Sequence, residues 1–185
     1  MVEAPHLAAH LRADGRRRAG AGRIVHRHLP RQGASFRCRL KKGEYAEAIG
    51  RSRGGRTCKI HALADDQGRP VAFALTPGNI ADITMAVPIV SAVTPPKRLI
   101  ADKAYDAERF RIWLKQRKIK AIIPSTASRR IPYPLDRTAY RRRNVIERLF
   151  CKLKNWRRVA TRYDRLVRNY MAAIALAAII TAWIE

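Results

Sequence analysis

An α/β domain is what this sequence predicts, and three observations predict it. Short alternating or apolar runs recur between Thr57 and Ile123, bounded by Gly, Pro and Asp. Helix-period stretches are interposed between the later runs. A long stretch free of Gly and Pro, Arg137 to Arg158, follows them with apolar residues at helical spacing. Strand, strand, helix, strand, helix, strand, helix is the order of a sheet packed by helices.

Thr57 to Ala64 and Val71 to Leu75 flank DDQGRP, a turn-forming string, and so read as a hairpin. TPGN breaks the chain, after which Asp82 is placed to cap a helix from about Ile83 to Val93. Arg98 to Ala101 is a brief apolar strand ending at Asp102. Asp106 opens a helix whose Phe110, Trp113 and Leu114 face inward. Lys120 to Ile123 is a further strand, stopped by Pro124. In the long helix, Val145, Ile146, Leu149, Phe150, Leu153 and Trp156 share one arc at about 100° per residue. Tyr140, Arg143, Glu147 and Lys154 line its edge. A last helix begins near Asp164. Met171 to Ile184 is the longest apolar run, and at 14 residues it falls short of the roughly 20 a bilayer requires, so no membrane partner is expected.

Charge narrows the function. Lys and Arg number 39 against 14 acids in 185 residues, for a net charge of +25 and a pI near 11.4. Such an excess calls for an anionic partner, and nucleic acid fits best. The segment 129–168 alone holds 14 Lys or Arg and three acids. Cys38, Cys58 and Cys151 have no metal spacing and read as reduced thiols of a cytoplasmic, nucleoid-associated protein. GRSRGG at Gly50 to Gly55 has the small residues of a phosphate-cradling loop without the spacing of a nucleotide-binding one. His61, within a strand, reads as a structural histidine.

Tyr140, Arg143, Glu147 and Lys154 are spaced Y-x2-R-x3-E-x6-K, and this resembles the signature of insertion-sequence transposases with a DDE site, in the IS5-like group. GRSRGGRTCKIHALADDQGRP, LTPGNIAD, LIADKAYDAERFR and WRRVATRYDRLVRNYMAAIAL are similar to that family's blocks, in the family's order, from about Lys41 to the C-terminus. The resemblance implies a ribonuclease-H-like fold. It also implies DNA strand cleavage and transfer with Mg²⁺ or Mn²⁺ held by Asp102 and Glu147, the second and third acids of the triad. Tyr140, Arg143 and Lys154 would meet phosphates near the scissile bond. Arg157, Arg158 and Arg162 would add surface phosphate contacts. The implied partners are the terminal inverted repeats and target DNA, with room for a homodimer.

Paired carboxylates suit this chemistry because hard divalent ions take oxygen ligands from several elements, and two such ions serve both oxygens of an in-line displacement. Each residue also has a plainer reading. Asp102 could cap a turn or pair with Lys103, Glu147 could simply pair with Arg143, and Tyr140 could be core. Asp106 reads as a helix cap.

Residues 1–40 differ in kind. They hold nine Arg, no Lys, two acids and four of the five His. The family's first Asp belongs on a strand upstream of GRSRGG, yet residues 20–43 contain no Asp or Glu, and the surroundings of Asp14 do not resemble a strand end. The expectation is therefore a catalytic domain over 41–185, preceded by a disordered or out-of-frame segment. The first central strand and the amino-terminal DNA-binding region would be missing, and the copy would be defective. A non-catalytic, basic DNA-binding relic is the alternative; an RNA-binding protein is a remote third that only charge supports.

Overall fold

The computed structural model describes residues 8–10, 21–30, 48–52 and 55–184. Its strands are β1 (Ala8–His10), β2 (Ala21–Pro30), β3 (Gly50–Ser52), β4 (Gly55–Ala64), β5 (Pro70–Pro77), β6 (Arg98–Ala101) and β7 (Lys120–Ile122). The helices are α1 (Ala86–Ser91), α2 (Glu108–Gln116), α3 (Arg137–Arg141), α4 (Asn144–Lys154), α5 (Arg157–Ala160) and α6 (Val167–Ile179). The described strands form one sheet in the order β1-β5-β4-β2-β6-β7, with β3 folded back on β4.

Alternation sets the two faces of this sheet. Ala62, Ala64 and Phe73 face one side, where they meet Ile146, Leu149, Phe150 and Leu153 of α4 and Tyr170, Met171 and Ile174 of α6. Their neighbours Leu63, Ala72 and Ala74 face the other side, against Ile89 and Val90 of α1 and Phe110 and Leu114 of α2. The β4–β5 turn needs Gly68, whose φ is +85°; a Cβ there would also stand 2.5 Å from Val145 at the start of α4.

One expectation is corrected here. The first central strand is present: β2 runs antiparallel to β4, with His26 opposite His61, and parallel to β6, with Ile24 opposite Ala101. The physical reason is pairing demand. Without β2, the facing edges of β4 and β6 would leave backbone donors and acceptors unsatisfied inside the sheet. Ile24, Val25 and Leu29, closed by Pro30, are compatible with a strand. Most of the Arg-rich opening segment, Asp14 included, lies outside the described residues.

Several boundaries also move. The single helix expected over 137–158 is three. Around Arg142 and Arg143 the amides of Arg142, Arg143, Val145 and Ile146 all bond to the carbonyl three residues back, which tightens the chain between α3 and α4. Asp82 does not cap α1. A 3₁₀ turn over Asp82–Met85 precedes that helix, and the Asp82 carboxylate instead pairs with the buried Lys59 ammonium at 2.8 Å. Gly50–Ser52 pairs with Gly55–Thr57 as a hairpin, so its strand backbone is engaged in a ladder rather than cradling an anion. His61 is buried and shares a 2.8 Å hydrogen bond with Thr76, as expected of a structural histidine.

Candidate active site

The two proposed acids meet because of strand alternation. Ile100 on β6 packs with Ile122 against Ala139 and Tyr140 of α3. Asp102, two residues further on, returns to that same face just past the strand's carboxyl end. Glu147 stands in the first turn of α4, one turn after Arg143. The Arg143 guanidinium joins them. Its Nε lies 2.7 Å from Asp102 Oδ1, and its Nη2 donates to Glu147 Oε1 at 2.5 Å. The two contacts differ in kind. Nε is buried and makes no aligned hydrogen bond, so its contact with Asp102 is one of charge alone. Nη1 donates to Tyr140 Oη at 3.4 Å, with the guanidinium carbon 5.9 Å from the tyrosine ring.

The environment favours charge on Arg143. Burial works against the charged Arg143, but Asp102, Tyr140 and Glu147 outweigh it and raise its pKa above the usual arginine value. Beneath the site Tyr105 is fully buried, and burial first, then Asp82 and Asp102, push its phenol well above the ordinary range, so it stays neutral. Asp102 and Glu147 remain accessible, their side chains 22% and 44% exposed.

Two carboxylates converging from a strand end and a helix onto one cationic group are a donor set that fits a single hard divalent cation. They do not make a set for two. The β2–β6 register ends with Ile24 opposite Ala101, the residue before Asp102, and the ten residues of β2 include no acid. Among the described residues, no group of three or more His, Cys, Asp or Glu could hold a metal.

The remaining residues divide. Lys154 is exposed at the far end of α4, seven residues and so about 10 Å along the axis from Glu147. Arg157 and Arg158 are exposed; Arg157 Nε donates to Tyr163 Oη, and Arg158 forms a forked pair with Asp164. Arg162 is corrected. It is 1% exposed, donates to the carbonyls of Ala48, Asp164 and Arg165, and lies over the Tyr170 ring, so it is a core strut with no reach to a phosphate. Trp156, expected on the buried arc, is 40% exposed because α4 ends before it. Asp106 is not a cap. Its side chain is wholly buried and accepts from Arg111, Arg129 and the Thr126 amide, an assembly the sequence reading missed. The only signal for it was the recurrence of Arg111 and Arg129 around a loop with three prolines.

Comparison with known proteins agrees with this architecture. The family profile described as "Transposase DDE domain" matches residues 27–182, beginning within β2. A putative transposase for insertion sequence element IS6501 from Brucella ovis is 34% identical over 122 residues, covering 65% of this chain and 94% of that protein. A second, for element IS402 from Burkholderia cepacia, is 31% identical over 136 residues, covering 68% of this chain and 62% of that one. Among solved structures, a piggyBac transposase in a synaptic complex with hairpin DNA superposes with a TM-score of 0.62 at 10% identity, over 89% of this chain and 46% of its own. With an antiparallel β5-β4-β2 set continued by parallel β6 and β7, the fold is ribonuclease-H-like. The chain belongs to the transposase DDE domain family.

Proposed function

We propose that this chain is the catalytic part of an insertion-sequence transposase of the IS5-like group, cutting and rejoining DNA strands at a site built on Asp102 and Glu147. The observation that carries the reading is the convergence of those two carboxylates on Arg143 at the carboxyl end of β6. Asp102 and Glu147 would hold Mg²⁺ or Mn²⁺. When bound, such an ion supplies Lewis-acid polarisation of a phosphoryl oxygen and a more acidic water. Tyr140 and Arg143 would position a phosphate beside the acids. Lys154, Arg157 and Arg158 would hold the flanking backbone, which contributes affinity without sequence readout. Terminal inverted repeats and target DNA are the proposed substrates, a homodimer the proposed assembly and the nucleoid the proposed location. Because β2 brings no carboxylate, catalysis by this copy is feeble.

That same missing acid favours a second reading, a DNA-binding relic without catalysis. A nicking assay on supercoiled DNA separates the two. The enzyme predicts weak, Mg²⁺-dependent nicking that Asp102→Asn and Glu147→Gln abolish while DNA affinity persists. Nicking that survives both substitutions refutes the site assignment, and binding with no nicking leaves the relic.

A further inference from the structure

We infer that Arg143 is a resident counter-cation of the acid pair, exchanged for the divalent ion when metal and DNA arrive together. This rests on Asp102 and Glu147 being the metal-holding acids. Two carboxylates facing one another repel unless a cation stands between them, and the guanidinium does so here, touching both. A divalent ion held by the same oxygens needs the same ground, and two cations do not share it.

The grip on Arg143 is uneven in a way that suits exchange. Toward Glu147 there is a short, directed hydrogen bond. Toward Asp102 there is proximity without alignment, and the buried Nε–H is left without an acceptor. A donor in that condition gains by moving to a better acceptor. Tyr140 provides a second berth on the same side, through its hydroxyl and its ring. A guanidinium released from the acids is a fork suited to a phosphate. Metal entry therefore frees an anion-binding group, and a bound phosphate, by holding that group away, opens the acids to metal. The coupling must be reciprocal. Arg143 is in this sense a positioning residue: it stands between the two carboxylates and ties their occupation by metal to the presence of DNA.

The test is Mn²⁺ binding to the full chain, read from the free-ion magnetic resonance signal, with and without a short DNA duplex. In the native chain DNA should tighten Mn²⁺ binding by about tenfold, within the usual range for coupled sites. In Arg143→Gln, Mn²⁺ alone should bind about tenfold more tightly than to the native chain, and DNA should no longer change it. Arg143→Lys keeps the charge but lacks the fork that spans both acids. It should fall between the two, and it serves as the test should the Gln variant fail to fold. Equal or weaker Mn²⁺ binding by the folded variant overturns the exchange. Asp102→Asn separates the layers. If native binding is lost in Asp102→Asn while the Arg143 variants show no gain, only the exchange is wrong. If Asp102→Asn binds Mn²⁺ as the native chain does, the acid-site reading falls and the exchange falls with it.

Discussion

Two aspartates four residues apart, Asp102 and Asp106, both sit against arginines, and they are opposites. Asp106 is sealed. No part of its side chain is exposed, and it accepts from Arg111 Nε at 2.7 Å, Arg129 Nε and Nη2 at 3.1 and 3.0 Å, and the Thr126 amide at 2.7 Å. Arg129 continues to Glu108, which also accepts from the Tyr133 hydroxyl. The loop after β7 is thereby bolted to the start of α2. Asp102 keeps 22% of its side chain open and meets Arg143 without an aligned hydrogen bond. A carboxylate whose acceptor sites are filled by the protein has nothing left for a ligand. One that keeps part of its side chain open at a strand end is within reach of a cation. The contrast separates a structural aspartate from the proposed metal-holding one within a single LIADKAYD block.

The contrast can be broken most forcefully at Asp106. Asp106→Asn leaves Arg111 and Arg129 without their shared charge, and losing one partner of a buried pair costs about 3–5 kcal/mol; urea unfolding reads it directly. Acid should produce the same effect in the native chain. Burial opposes the Asp106 charge, but hydrogen bonds from Arg129, Thr126 and Arg111 outweigh it and hold the carboxyl at about 2, against 3.8 when unfolded. Because the folded value is the lower, the stabilisation is complete above 3.8 and is lost as pH falls from there through about 2. A pH series of melts should show that limb in the native chain and a shallower one in Asp106→Asn.

Arg162 and Arg157 sharpen the same lesson among cations. Arg162→Met removes three hydrogen bonds to buried or half-buried carbonyls and should cost about 2 kcal/mol of stability. Asp102→Asn, at a partly exposed ion pair, should cost about 1 kcal/mol or less. Arg157→Ala should leave stability within about 0.5 kcal/mol and instead lower the slope of log DNA affinity against log salt by about 0.9. If Arg162→Met were the one to flatten that salt slope, the division between strut and phosphate contact would be wrong.

Much of this was legible in the chain. The hairpin, β6, α2 and β7 were read close to their observed bounds, since turn strings and Pro124 punctuate them. The stripe of Tyr140, Arg143 and Glu147 was visible because helical spacing converts directly into a shared face. β2 was not legible. Its basic, His-bearing composition hides the strand, and what places it there is the pairing demand of two distant edges rather than any local preference. Nor was the burial of Arg162, for a guanidinium at the surface and one capping backbone carbonyls have the same letter. Asp82 and Asp106 each have the local reading of a helix cap, because Asp before a helix is placed to accept from its first amides. Tertiary partners, Lys59 for one and two arginines for the other, claimed them first.

The most direct test of the central claim, that Asp102 serves a metal and Asp106 serves the fold, is urea unfolding of the native chain, Asp102→Asn and Asp106→Asn, each with and without saturating Mn²⁺. A ligand bound only by the folded state raises stability by mass action, about 2.7 kcal/mol at a hundredfold excess over its Kd. Mn²⁺ should raise the midpoint of the native chain and of the weakened Asp106→Asn chain, and leave Asp102→Asn where it was. Mn²⁺ stabilising Asp102→Asn as much as the native chain would contradict it.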